Sequence, residues 1–263
     1  MTNFARMKKM LAVLTAFITS QTFAQSPVSA RLQSGYDLGM AYSTGNYNPS
    51  GAYYQLINIG DRKLFAVGWN IRLGAFYGDN LNYYTAPARL TREKTGLSAL
   101  GAPLVVRNID TIRYDYVTMT SANVGVRAQV NLGRLTIGAS ADLLGLTFGK
   151  KRIGRYKSST GQYPIQGISG KDSINVPFQG ASAFQSSRPS TLNIRLLADN
   201  DIGTLSTEIY ARYSISQRFG IKVGYQFLTT EMTVATRDVI ADNNRFRHRA
   251  NMAYIAVTLP VFN

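Results

Sequence analysis

The chain of 263 residues has no cysteine, a single histidine (His248), a single tryptophan (Trp69), and only 14 acidic residues against 29 lysines and arginines. Without cysteine there is no disulfide framework, no thiolate zinc site and no lipid-modified N-terminal cysteine. One histidine among scattered acids leaves no transition-metal site, and nothing calls for a cofactor. Apolar runs are short as well: none reaches the roughly 20 residues that a membrane-spanning helix needs. If such a chain enters a bilayer, it does so as strands. No Pro- or Ser-rich linker separates two folded-looking halves, so one domain is expected.

What is present begins with an export signal. "MTNFARMKKM" carries Arg6, Lys8 and Lys9 without an acid, and is followed by the apolar "LAVLTAFI" and the small-residue site "SQTFA". This order marks residues 1–24 as a cleaved secretory signal peptide. A short segment, 25–33, then leads into a domain at 34–263. Without the three signal cations, 26 basic residues still face 14 acids. In an exported protein that excess suits lipid phosphates or acidic glycans better than nucleic acid.

The dominant pattern has a period of two, the mark of a strand with unlike faces. In "KLFAVGWNIRLGAFYG" (63–78), Phe65, Val67, Trp69, Ile71, Leu73, Ala75 and Tyr77 alternate with Gly68, Asn70, Arg72 and Gly74. Seven other segments read similarly. Tyr36 to Tyr42 form the first, and "YYQLINIG" is a short second of ambiguous phase. Residues 113–131 set Tyr116 to Val130 against Asn123, Arg127 and Gln129, and Leu135 to Leu143 oppose Ser140 and Asp142. Leu205 to Ile215 oppose Glu208 and Arg212, and Phe219 to Phe227 oppose Lys222 and Gln226. Ile255, Val257, Leu259 and Val261 mark the last.

Connections alternate in length. "GDRK", "LGR" and "SQR" are of hairpin size, whereas 44–52, 78–112, 149–202 and 232–246 read as long loops. Twelve steps from Phe65 to Tyr77, at roughly 3.3 Å each and tilted by about 40°, cover on the order of 30 Å, enough to cross a lipid band. Tyrosines and phenylalanines close several apolar rows, as interfacial girdles do.

Signal peptide, eight alternating segments, short and long connections, and an aromatic next to the end (Phe262) together resemble the small bacterial outer-membrane β-barrels of the OmpA-barrel and OmpX type. Asn263 departs from that pattern, whose last strand usually ends on the aromatic. The resemblance implies an all-β, eight-stranded antiparallel up-and-down transmembrane barrel with long extracellular loops and both termini periplasmic, as a monomer in the outer membrane. The lumen of such a barrel is narrow enough for side chains to meet. Asp37, Arg72, Arg127, Asp142, Glu208, Arg212 and Lys222 are expected inside as a paired network that plugs the barrel. A small gated pore preferring anions is the alternative.

Catalysis is poorly supplied. Some barrels of this kind are lipid A deacylases with a serine two residues after an outer-rim histidine, but position 250 here is Ala. A lipid-directed enzyme is therefore the third reading, after a non-enzymatic anchor and a pore. "ADNDIG" (198–203) reads as a turn rather than a calcium site. The strongest charge signal is "KKRIGRYK", with Lys150, Lys151, Arg152, Arg155 and Lys157, joined by Arg245, Arg247 and Arg249 of "RFRHR". Both lie where lipopolysaccharide phosphates are expected, and guanidinium and ammonium groups bind phosphate well. Loops 78–112 and 149–202 are candidates for an extracellular partner.

Overall fold

The computed structural model describes residues 31–60, 63–166, 173–196 and 200–262. Thirteen strands run in order: β1 (Leu32–Ser43), β2 (Asn46–Ile59), β3 (Phe65–Thr85), β4 (Thr111–Leu132), β5 (Leu135–Gly149), β6 (Arg152–Ser158), β7 (Gln162–Gln166), β8 (Ser173–Pro177), β9 (Phe184–Pro189), β10 (Leu192–Ile194), β11 (Leu205–Ser216), β12 (Phe219–Asp238) and β13 (Asn243–Phe262). The sequence leads one to expect fewer, and the difference lies in 149–202, read as a loop but holding β6 to β10. The signal peptide at 1–24, most of 25–33 and Asn263 lie outside the described residues.

All strand pairs are antiparallel. β1 pairs with β2, β2 with β3, β3 with β4, β4 with β5, β5 with β11, β11 with β12 and β12 with β13. β13 then pairs back on β1 from Ser34 to Tyr42, and the wall closes. Closure removes the unpaired N–H and C=O groups that an open edge would expose to hydrocarbon.

The period of two decides which face looks out. Trp69 is 39 % exposed and Val223 49 %, whereas Arg72 and Lys222 on the same strands are 3 % and 1 % exposed. Apolar rows point away from the axis and polar rows toward it. β2 takes the same phase, with Tyr54 and Leu56 inside and Tyr47, Ile57 and Ile59 outside. On the outer surface Tyr42 stands opposite Tyr47, and Tyr47 opposite Tyr77. The rings of Tyr42 and Tyr47 lie 5.1 Å apart, and with Tyr77 this row forms an aromatic band across β1, β2 and β3.

The phase is broken twice. Asp115 and Tyr116 are both exposed, opposite Asn80, whose φ of 58° lies in the left-handed region. Leu143 and Leu144 are also both exposed, where the register between β4 and β5 shifts. Each break moves the following row to the other parity: at Asp115–Tyr116 β3 and β4 change together with their register kept, and at Leu143–Leu144 β5 carries a bulge. One outward assignment needs correction: Leu205 is buried, next to Ser206, whose carbonyl accepts from Arg195 (3.1 Å).

Two connections expected to be long are mainly strand. β1 and β2 meet in a turn at Thr44–Gly45, and β12 and β13 in a turn at 239–242. Pro49 makes 44–52 look like a loop, yet it fits because the β2–β3 ladder skips it between Tyr47–Tyr77 and Ser50–Gly74. The connection at 78–112 shrinks to 86–110, because β3 and β4 extend well past the aromatic band.

These extensions build a second, narrower ring. β3 pairs with β4, β4 with β6, β6 with β9, β9 with β12 and β12 with β13; β13 then returns to β3 through Phe246–Thr85 and Arg247–Tyr84. β6 continues the line of β5. β9 and β10 continue the line of β11 on its far side. The β1–β2 hairpin alone stops short, so the wall steps inward above its turn. β7 and β8 pair only with each other, as a ribbon held at its base by the stacked rings of Tyr163, Phe178 and Tyr156.

Glycine opposite a large side chain lets the interior close. Gly138 stands across from Tyr210 on β11, and a Cβ at 138 would lie 2.5 Å from the Tyr210 hydroxyl and 2.8 Å from the Ala128 carbonyl oxygen. Gly138→Val is therefore expected to overpack the wall, at a cost of about 1–3 kcal/mol. A lower temperature for conversion of the compact gel band to the unfolded one checks it.

Candidate functional site

The seven charged side chains expected inside converge in one layer within the lower wall. Asp37 Oδ2 accepts from Arg127 Nη1 at 2.7 Å and from Lys222 Nζ at 2.8 Å, and its Oδ1 accepts from Thr258 Oγ1 at 2.7 Å. Lys222 also pairs with Glu208, whose Oε2 lies 2.9 Å from Arg72 Nη2. Arg72 Nε in turn lies 3.5 Å from Asp142 Oδ1. The charges thus alternate in sign along a chain from Arg127 to Asp142. Arg212 sits at its margin, donating to the Tyr54 hydroxyl (2.9 Å) and to Thr136 (3.2 Å).

Sequence reasoning missed the aromatic half of this layer. The Arg127 guanidinium carbon lies 3.9 Å from the centre of the Tyr54 ring, and Lys222 Nζ lies 4.0 Å from that of Tyr210. Such cation–π contacts are stronger when desolvated. Tyr210 also accepts from Arg127 Nε (2.6 Å) and donates to Gln129 (3.0 Å). The parity of β11 puts Tyr210 on the inward face with Glu208 and Arg212, but the pattern alone does not show that its ring and hydroxyl are partners of the cations.

Above the charges lies an apolar layer. Phe76, Tyr83, Ile112, Tyr114, Met232, Phe246 and Met252 are nearly inaccessible and form one cluster with Met119 and Tyr156. Tyr83 and Tyr114 meet edge to face at 5.1 Å. His248 joins the rim of this layer: its ring lies 5.5 Å from that of Tyr83, and its Nδ1–H donates to the Asn82 carbonyl oxygen at 3.0 Å. Burial pulls its pKa below the usual imidazole range, so the neutral ring prevails at pH 7. It acts as a rivet across the β13–β3 seam.

The basic candidates for phosphate divide. Lys150 and Lys151 occupy the exposed break between β5 and β6, and Arg155 and Lys157 point outward from β6. Arg155 stands opposite Arg113 and lies over the Phe184 ring at 5.5 Å. Arg152 lies over Tyr116 at 5.1 Å and donates to Thr118. Arg249 is exposed. Arg245 and Arg247 are not free surface cations. Both pair with the buried Glu231, and both reach the Asp201 carbonyl. Glu231 drew them in, as a buried carboxylate must find a cation.

No family model matches the chain, and no curated protein does. Among solved structures, Neisserial surface protein A aligns over 87 % of this chain and 94 % of its own, at 9 % identity and a TM-score of 0.25. A Pseudomonas aeruginosa FadL homologue aligns over 89 % and 76 %, at 10 % identity and a TM-score of 0.29. The CymD monoaromatic hydrocarbon channel aligns over 87 % and 88 %, at 8 % identity and a TM-score of 0.18. What decides the fold is the wall itself, edge-free, apolar outside and charged within. The fold is that of an outer-membrane β-barrel. In this barrel both ends of the lumen contents are accounted for, by ion pairs below and by rings and methionines above.

Proposed function

We propose that the protein is a non-enzymatic integral outer-membrane protein whose eight-stranded lower wall anchors a rigid extramembrane tube, which holds cations against lipopolysaccharide phosphates. The carrying observation is the outward face of β5 and β6. Leu144, Leu146 and Phe148 give way to Lys150 and Lys151, then to Ile153, Arg155 and Lys157. Oil-facing residues thus pass through an aromatic into cations, the order that a lipid interface demands. In this reading the β2–β3, β4–β5 and β11–β12 turns and both chain ends are periplasmic, and the protein is a monomer. The tube and its β7–β8 ribbon are the surface offered to any external partner.

The test joins placement to binding. In vesicles, Trp69 fluorescence is expected to be quenched by brominated acyl chains, since Trp69 faces outward in the middle of the lower wall. Changing Lys150, Lys151, Arg155 and Lys157 together to Gln is expected to weaken capture of lipopolysaccharide about tenfold at low salt, with heat-modifiable gel migration unchanged. Equal capture by the variant, or a Trp69 that brominated lipid leaves unquenched, would defeat this reading.

A further inference from the structure

β4, β6 and β9 lie side by side in the narrower ring, and their register sets a small grid of outward side chains. Arg113 stands directly opposite Arg155, and Arg155 directly opposite Phe184. On β6, Ile153 lies two residues nearer the lower wall and Lys157 two residues farther from it. A hollow of about 480 Å³ opens among them, lined by Arg113 and Asp115 of β4, by Ile153, Arg155 and Lys157 of β6, and by Phe184 of β9.

Three features of this hollow point to one kind of occupant. First, its cations lack acids. Like charges directly opposite each other weaken a ladder, yet Arg113 gives its Nε and Nη2 to the side-chain oxygen of the neutral Asn80. Among the described residues Arg155 has the Phe184 ring as its partner, and Lys157 has neither a hydrogen bond nor an ion pair. An anion between the two guanidiniums would turn their repulsion into a shared attraction. Second, the Phe184 ring backs the Arg155 guanidinium, which is thus held ready for a ligand. Third, apolar surface adjoins the cations: Ile153 is 70 % exposed and Phe184 55 % exposed. Ile153 continues the lipid-facing row of Leu144, Leu146 and Phe148. Asp115, the one acid among the described lining residues, follows Arg113 on the side of Tyr116. It leaves the Arg113–Arg155 row to an anion and offers an acceptor to a hydroxyl or amide N–H just below.

We propose that this hollow binds the phosphomonoester head of a single outer-leaflet amphiphile, with the phosphate between Arg113 and Arg155, Lys157 above it, and the first acyl carbons over Ile153 toward Phe148. The proposal deepens the function proposed above and rests on it for the membrane placement. There the cations act as a charged face, whereas here one defined site selects the head. A phosphomonoester carries about two negative charges at neutral pH, more than a diester can, and so suits three cations. The chain covers apolar surface that would otherwise face water.

Calorimetry on the full chain in dodecyl maltoside micelles tests it with three probes: myristoyl lysophosphatidic acid, myristoyl lysophosphatidylcholine of the same chain, and inorganic phosphate. Saturable binding of one lysophosphatidic acid per chain is expected, without comparable binding of the other two. This comparison needs no variant. Arg113→Gln and Arg155→Gln are each expected to weaken binding about tenfold, as is Ile153→Asn with Phe184→Asn. Lys150→Gln with Lys151→Gln is expected to bind like the parent, since neither lysine lines the hollow. Compact gel migration of each variant confirms folding. Non-saturable uptake, or binding that survives loss of both arginines, overturns the proposal. So does lysophosphatidylcholine or inorganic phosphate binding as tightly as lysophosphatidic acid, since neither result needs both a phosphomonoester and a chain. Lipopolysaccharide capture that the quadruple Gln variant loses while Arg113→Gln leaves probe binding unchanged would uphold the charged face and overturn this site. Failure of the face shows separately, as capture that the quadruple variant retains.

Discussion

Asp37→Ala is expected to lower the temperature at which the compact gel band is lost more than any other single change in the lumen. Asp37 lies on β1 and draws together Arg127 of β4, Lys222 of β12 and Thr258 of β13. One carboxylate therefore ties four strands across the seam where the wall closes. The side chains of Arg127 and Lys222 are 2 % and 1 % exposed, so water cannot replace the lost acceptor. Breaking a buried ion pair from one side costs about 3–5 kcal/mol. Thr258→Val removes one hydrogen bond from the same carboxylate and is expected to cost about 1 kcal/mol. Combining Asp37→Ala with Lys222→Met is expected to recover part of the loss, because the stranded cation goes with its partner. Urea midpoints in vesicles and band-conversion temperatures should rank the variants in that order. An Asp37→Ala protein as stable as the parent would show that the network contributes nothing to closure.

In planar bilayers the reconstituted protein is expected to pass no steady current. The charged layer is packed, with Asp37, Arg72, Glu208 and Lys222 all 3 % exposed or less. An ion that crossed it would next meet the packed side chains of Phe76, Met252, Tyr83 and Phe246, which leave it no room to keep its hydration shell. Arg72→Ala or Arg127→Ala empties part of the lower layer but leaves the upper one intact. Each variant is therefore expected to stay silent as well. Steady conductance in the parent, with an anion preference that Arg127→Ala abolishes, would instead establish the gated pore.

How much of this was legible in the sequence depended on how different the two environments of each residue were. Wherever a strand has lipid-facing and lumen-facing sides, as from Phe65 to Tyr77, the alternation is sharp enough to name the inward residues. The seven lumen charges were readable for that reason. Above the aromatic band the contrast fades: the inward face turns apolar, and the outward face carries cations such as Arg155 and Lys157. Tyr83, Tyr114 and Phe246 are core residues there, yet by type alone they suit a girdle or a loop. β6 is seven residues long and β9 six, too short and too polar for their parity to stand out. The breaks at Asp115–Tyr116 and Leu143–Leu144 add parity changes that no single residue announces. Nor could the pattern foresee that Glu231 would claim Arg245 and Arg247, since that pairing joins two strands whose register is set by their turn.

The ribbon of β7 and β8 makes a different kind of surface possible. Its ladder owes nothing to the tube, and its base is fixed by the stack of Tyr163, Phe178 and Tyr156 with the bond from Val239 N to the Gln162 carbonyl (2.9 Å). A foreign peptide grafted between Gln166 and Ser173 would be displayed on a stiff stem while the rest of the molecule kept its contacts. The ribbon is thus a part of the molecule whose change costs the packed tube least.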